Sequence, residues 1–394
     1  MRSSERLAIA AAALSFFIST LDLGIVNVAL PEITHSLHIG ASVAAWTISA
    51  YSVALSVTIL PFGRLGDRFG IVRMSVTGFV LFALFSIGCT LAPTIGLLIV
   101  FRALTGIAAA MLQGTAASFV SRYVQGSYRG HAFGWVSAVL SLGAMLGPSI
   151  GGFVVTFASW RWIFLAVVPF AIAGFVAAGM LRDAPSVAPR EVEGSSERPR
   201  GIGRATPFVV AGALGATFIA VFVGSPFELT REGHLPAWEV GLVMLATPLG
   251  AAIAARLTGA LVQRGLGVAS MVGGLAVDGV AALALLATPA TNLELFAPLL
   301  FVFGLGSGAM QTPAIALSLA AFPARQQSTA GALQRFVQNL TIAGSAALSG
   351  VFIDRLGTQS VWIFTASVAF ATILIVATLT SVARRGKTTL AVVG

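Results

Sequence analysis

Twelve apolar runs follow one another along this chain, at residues 7–30, 43–62, 75–92, 95–120, 132–157, 161–181, 207–227, 238–262, 267–288, 293–321, 328–353 and 359–382. A helix needs roughly 20 apolar residues to cross the hydrocarbon core of a bilayer. A water-soluble domain has no place for so many helices that are apolar all round. Within lipid each backbone segment must satisfy its own hydrogen bonds, so every run is predicted to be a helix. Composition agrees. Of 394 residues, 57% are hydrophobic and 9% charged, against about 25% charged in soluble domains, and mean hydropathy is +0.94. Too little charge is present to clothe a globule in water or to keep a chain disordered.

The net charge is +9, from 23 Lys and Arg against 14 Asp and Glu. This excess does not point to nucleic acid, because it forms no basic face. It sorts by membrane side instead. Eighteen of the 23 fall on one side; Arg161, Arg231 and Arg355 fall on the other, and Arg102 and Arg335 lie within spans. The positive-inside rule then puts both termini in the cytoplasm of a multi-pass protein of the cell (inner or plasma) membrane. Arg2–Arg6 followed by Leu7–Ile18 resembles a signal peptide, but the run continues through Asp22 to Leu30 and reads as an uncleaved first span. Residues 182–206, rich in Pro, Gly, Ser and charge, read as a cytoplasmic linker. They divide an N-terminal six-helix bundle, 1–181, from a C-terminal one, 207–394. The single cysteine, Cys89, and four scattered histidines offer no metal site, and no cofactor is expected.

The two halves echo each other. Phe101, Gly106, Ala109 and Ala116 recur 200 residues later as Phe301, Gly306, Ala309 and Ala316, and Trp162-Ile163-Phe164 recurs as Trp362-Ile363-Phe364. Gly63, Leu65 and Arg68 have weaker echoes in Gly259, Leu261 and Arg264. Several ordered matches at nearly one offset argue for duplication. Six helices is an even number, so both copies enter from the same side. The repeat is parallel, as in transporters that rock two halves about a central site.

Four motifs carry a family resemblance. Residues 63–73, GRLGDRFGIVR, resemble the loop signature G-x-L-x-D-R-x-G-(R/K)-(R/K) of the major facilitator superfamily. Gly63, Leu65, Asp67, Arg68 and Gly70 match, while Ile71 and Val72 stand where the basic pair is usual. Residues 143–152, GAMLGPSIGG, match the G-x-x-x-G-P-x-x-G-G signature that marks drug:proton antiporters within that superfamily. Gly143, Gly147 and Gly151 make a smooth stripe that lets a neighbouring helix come close. Pro148, followed by Gly151 and Gly152, favours a bend. Residues 21–31, LDLGIVNVALP, are similar to the first-span signature of the fourteen-span antiporter branch, with Gly24 replacing its Thr. Residues 102–110, RALTGIAAA, resemble the superfamily's R-x-x-x-G pattern in the fourth span. The resemblance implies an all-α fold of twelve transmembrane helices in two pseudo-symmetric bundles, with spans 1, 4, 7 and 10 lining a cavity.

Polar residues inside spans are functional candidates by default. Asp22 is read as a proton-loading carboxyl, as a group that attracts a cationic substrate, or as a structural Asp, and Arg102 as its partner, a substrate contact or a fixed ion pair. Asp278 in span 9 is read equally as a second proton site or a helix–helix bond. Asn27, Gln113, Phe222, Phe301, Phe303 and Gln311 are candidates for a substrate cavity. Asn27 lies some 140° round the helix from Asp22, so the two need not share a face. Gly63, Asp67, Arg68 and Gly70, with Arg335 in span 11, are assigned to a cytoplasmic gate. Glu32 and Glu228 are expected at the membrane interface. The expected function is proton-coupled export of small, largely hydrophobic compounds by a chain that is monomeric and whose partners are substrate, protons and lipid. The alternative is a proton-coupled importer or facilitator of a small metabolite. An intramembrane enzyme is disfavoured, because no nucleophile–base pair or metal-ligand spacing is present. A receptor is disfavoured by the lack of a large soluble module.

Overall fold

The computed structural model describes residues 2–125, 128–181, 205–322 and 327–392, and the linker read at 182–206 lies almost wholly outside them. The described residues form α1 (Ser3–Leu37), α2 (Ala41–Phe69), α3 (Ile71–Leu91), α4 (Ile95–Tyr123), α5 (Arg129–Phe157), a 3-10 turn (Trp160–Phe164), α6 (Val168–Gly179), α7 (Thr206–Arg231), α8 (Ala237–Met244), α9 (Ala246–Gln263), α10 (Gly267–Leu286), α11 (Leu293–Ala320), α12 (Gln327–Leu356) and α13 (Ser360–Val392). No strand occurs among the described residues. Twelve stretches are long and apolar enough to cross a membrane, with the 3-10 turn plus α6, and α8 plus α9, each making one of them.

Helix ends differ from the sequence expectation in ways that have physical causes. The motif at 63–73 is not a loop. α2 runs through Phe69, and Gly70 alone turns the chain into α3 with φ +98°, a conformation that favours glycine. Its N–H still reaches the Gly66 carbonyl at 3.0 Å. The eighth span is interrupted at Leu245, between α8 and α9. Pro248 explains the break, since it has no N–H to donate to the Met244 carbonyl one turn back. Many hydroxyls within spans are satisfied by their own helix. Ser15, Ser56, Thr115 and Thr217 donate to carbonyls of Ala11, Ser52, Met111 and Ala213 at 2.7–3.0 Å, which suits an apolar solvent that accepts no hydrogen bond.

The chain divides into two compact units, Met1–Glu191 with Leu229–Leu245, and Val192–Glu228 with Ala246–Gly394. In the first unit α1 lies along α5, α4 packs among α1, α2 and α3, α6 covers α1 and α3, and α8 packs on α5. In the second, α11 packs on α9 and α10, α13 on α10, and α12 on α11 and α13. Its core includes Val210, Leu214, Met271, Leu275, Met310, Ala314 and Ala369.

Candidate functional site

Asp22 and Arg102 meet inside the first unit. Arg102 Nη1 donates to Asp22 Oδ2 at 2.7 Å, and both side chains are enclosed, at 0% and 2% exposure. The arginine is held on its other sides as well. Its Nε donates to the Thr47 carbonyl at 3.0 Å, and its guanidinium lies 4.6 Å from the Tyr51 ring centroid and 5.9 Å from that of Phe164. A permanently charged guanidinium needs an anion, carbonyls or aromatic faces once it leaves water, and this pocket supplies all three. Nη2 has no hydrogen-bond partner. α1, α2 and α4 are thereby tied at one point by a charge whose counter-charge is titratable. The sequence reading named the pair but missed Thr47 and Tyr51. Tyr51 is one of only three tyrosines and sits mid-span, which is the signal that marked it.

The α1–α5 contact lies beside this pair. Gly143, Gly147 and Gly151 face α1, where a Cβ on Gly147 would stand 2.8 Å from Gly24 Cα and 3.0 Å from the Leu21 carbonyl oxygen, and one on Gly151 would stand 2.8 Å from the Ile25 carbonyl oxygen. Gly24 answers in kind, with a Cβ there 2.9 Å from Gly147 Cα and 3.0 Å from Pro148 Cδ. The departure of this chain from the first-span signature therefore has a structural role, since a threonine at 24 has no room. Gly152 faces the other way, onto the Ala237 carbonyl of α8. Ser149 Oγ donates to the Gly241 carbonyl at 3.3 Å, and Thr156 Oγ1 accepts from Trp238 N–H at 3.0 Å.

The remaining candidates distribute as follows. In the first unit Asn27 is buried, donates from Nδ2 to the Leu23 carbonyl at 2.8 Å and leaves Oδ1 without a partner. Gln113 is half-buried. A Cβ on Gly63 would stand 3.8 Å from the Gly114 carbonyl oxygen, and Arg68 is exposed with its guanidinium 5.5 Å from the Phe69 ring centroid. The Asp67 side chain lies outside the described residues. In the second unit Phe222 is buried and stacks on Phe218 at 4.3 Å, and Phe303 is buried. Phe301, Gln311 and Arg335 are half-buried. Glu32 is exposed. Glu228 stands in the last turn of α7, where it is buried and accepts from Trp362 Nε1 at 2.6 Å.

The contacts also correct the register of the repeat. Trp162 is exposed and Trp362 buried, so these two do not correspond. Trp160 does, since its Nε1 donates to Ser36 Oγ near the end of α1 at 3.1 Å, as Trp362 donates to Glu228 near the end of α7. Likewise Gly106 abuts the Tyr51 backbone as Gly304 abuts that of Thr247, and Gly78 meets Leu112 and Met111 as Gly274 meets Met310 and Ala309. In this register Leu300 stands where Arg102 does and Asp278 where Phe82 does, all four being buried. Asp278 accepts from Ser307 Oγ at 3.0 Å, and its Oδ1 has no hydrogen-bond partner.

The chain thus has two helical units with membrane-length apolar helices, the first of them carrying the paired-glycine seam and the buried Asp–Arg pair. The family model "Major Facilitator Superfamily" matches residues 12–265 and 208–391, and the chain belongs to that superfamily. It is 26% identical to the riboflavin transporter RibZ of Clostridioides difficile over 86% of each chain. It is 35% identical to the multidrug resistance protein Stp of Mycobacterium tuberculosis over 43% of this chain and 32% of that one. It is 37% identical to the uncharacterized MFS-type transporter Rv1250 of Mycobacterium tuberculosis over 42% of this chain, a match spanning only 29% of that relative's length. In fold it is similar to a bacterial homologue of the human lysosomal transporter Spinster, with TM-score 0.71, 15% identity and 98% of both chains covered.

Proposed function

We propose that this chain is a proton-coupled antiporter that exports small, largely hydrophobic compounds across the cell membrane by alternating access. It would act as a monomer with both termini in the cytoplasm, and it would confer resistance to drugs or toxins. The observation that carries this reading is the enclosed Arg102–Asp22 bond of 2.7 Å between α4 and α1. A carboxylate in that place holds the arginine in a charge-assisted bond. A proton on Asp22 cancels the counter-charge, and the guanidinium retains only the Thr47 carbonyl and the Tyr51 and Phe164 rings. α1, which carries the glycine contact with α5, is then released from α4. Proton binding thus favours one arrangement of the first unit over another, which is the differential affinity that coupling requires. One proton moving down about 100 mV releases roughly 2.3 kcal/mol, enough to sustain more than a tenfold gradient at about 1.4 kcal/mol per tenfold. The likeness to multidrug resistance proteins supports export of hydrophobic compounds.

A second reading is a proton-coupled importer or facilitator of a small metabolite. The match to a riboflavin transporter over 86% of each chain favours it. Retention of a fluorescent lipophilic cation by cells expressing the chain separates the two. Export is expected to deplete the dye, the depletion to vanish with a protonophore, and Asp22→Asn to abolish it in a protein still present in the membrane. Dye accumulation supports the second reading, and undiminished efflux by Asp22→Asn removes Asp22 from coupling.

A further inference from the structure

A second carboxyl group, far from any counter-charge, lies at the contact of α10 with α11. Asp278 is fully buried, at 0% exposure. Its Oδ2 accepts from Ser307 Oγ at 3.0 Å, while Oδ1 has no hydrogen-bond partner. Oδ1 crowds the place where a Cβ on Gly306 would stand, and the Gly274 carbonyl oxygen lies 2.7 Å from that same place. Asp278 Oδ1 and the Gly274 carbonyl oxygen therefore both border that spot. An ionised carboxylate set there has no cation beside it to offset its burial. With a proton the buried group is neutral, and Oδ1 gains a donor of the kind that short polar side chains commonly give to a carbonyl of the preceding helical turn.

Among the described residues packed around it, no other charge lies close by. Of the elements packed on α10, α11 carries Glu294, which is exposed and thirteen residues before Ser307, about 20 Å along the helix. α9 carries Arg256, which is exposed, and Arg264 follows it in the exposed turn. α13 meets Gly279 through the Phe370 ring, and its Arg384, Arg385 and Lys387 lie at least fourteen residues further on, about 21 Å. α10 itself holds no other titratable residue. Packing does not require a carboxyl either, for the matching contact of the first unit is closed by Phe82, equally buried.

We propose that Asp278 is a proton-binding site of the second unit, occupied while α10 and α11 are closed on each other and exchanging its proton when that contact opens. The glycines on both sides of the contact, Gly274 and Gly306, fit an interface that closes and parts. A Cβ at 274 would stand 2.5 Å from the Gly306 carbonyl oxygen and 2.7 Å from Met310 Cγ. The inference rests on a different carboxylate from the coupling pair, so either stands or falls without the other.

Infrared spectra of the purified full chain test it. A protonated-carboxyl stretching band is expected at neutral pH, lost in Asp278→Asn, and retained in Asp22→Asn. In Ser307→Ala the band is expected to move to higher frequency, since its carbonyl oxygen Oδ2 loses the donated bond. The band is expected to fade reversibly with alkali while the protein stays folded. A spectrum unchanged by Asp278→Asn shows the group ionised and overturns the proposal. A band that persists at every pH at which the chain stays folded makes Asp278 a fixed strut and overturns it equally. Ser307→Ala keeps the test open should Asp278→Asn fail to fold.

Discussion

The first unit buries its aspartate against an arginine, and the second buries one against a serine. Asp22 has Arg102 at 2.7 Å, whereas Asp278 has no cation beside it and accepts from the Ser307 hydroxyl at 3.0 Å. The matching places in the other unit are apolar: Leu300 for Arg102 and Phe82 for Asp278. The two units thus match in helical packing at these contacts, while each carries its own buried polar group. In the first unit the charge state of one group decides whether another is left uncompensated. In the second, a lone carboxyl depends only on its own proton.

The comparison breaks most readily at the ion pair. Arg102→Leu strands a buried carboxylate and is expected to destabilise the folded chain by about 3–5 kcal/mol. Asp22→Leu/Arg102→Leu is expected to recover most of that stability while abolishing transport. Unfolding of the purified protein in mixed micelles reads both, and a double variant no better than the single one would mean that the pair is not the source of the loss.

Next in size is the tryptophan pair. Trp362→Phe removes the bond to buried Glu228 and is expected to cost about 1–3 kcal/mol. Trp160→Phe removes a bond to exposed Ser36 and is expected to cost about 0.5–1 kcal/mol. The same unfolding measurement compares them, and equal losses would undo the register in which these tryptophans correspond. Gly24→Thr, which installs the residue usual in the signature it resembles, is expected to overpack the α1–α5 contact and cost about 1–3 kcal/mol. An unchanged unfolding midpoint would mean that α1 shifts freely against Gly147.

The smallest effect sharpens the contrast most. Asp278→Asn mimics a neutral acid and is expected to change stability by less than about 1 kcal/mol, whereas Asp22→Asn leaves a buried guanidinium without its anion and costs several times more. Equal losses from the two Asn variants would erase the distinction between the units.

Much of this was legible in the sequence, because a membrane converts hydropathy directly into helices. The twelve spans and the Asp22–Arg102 candidates follow from apolar length and from the rarity of charge within it. Helix ends were less legible. Gly70 turns the chain in a single residue, and Pro248 divides a span whose hydropathy is continuous. The repeat offset of 200 misaligned Trp162 with Trp362, since sequence identity cannot see that Trp160 makes the equivalent bond. The burial of Glu228 was not legible because its bond partner lies 134 residues away. Gly24 read as a departure from a signature because its reason, the backbone of Gly147, is visible only in the contact.

The central claim is that the proton on Asp22 is what substrate movement exchanges for. Proteoliposomes holding the purified chain and a trapped pH indicator test this directly. Addition of a lipophilic cation that the wild type transports is expected to move protons across the membrane in the opposite direction, and Asp22→Asn is expected to bind the cation yet move no protons. Proton movement by Asp22→Asn at the wild-type rate would contradict the claim.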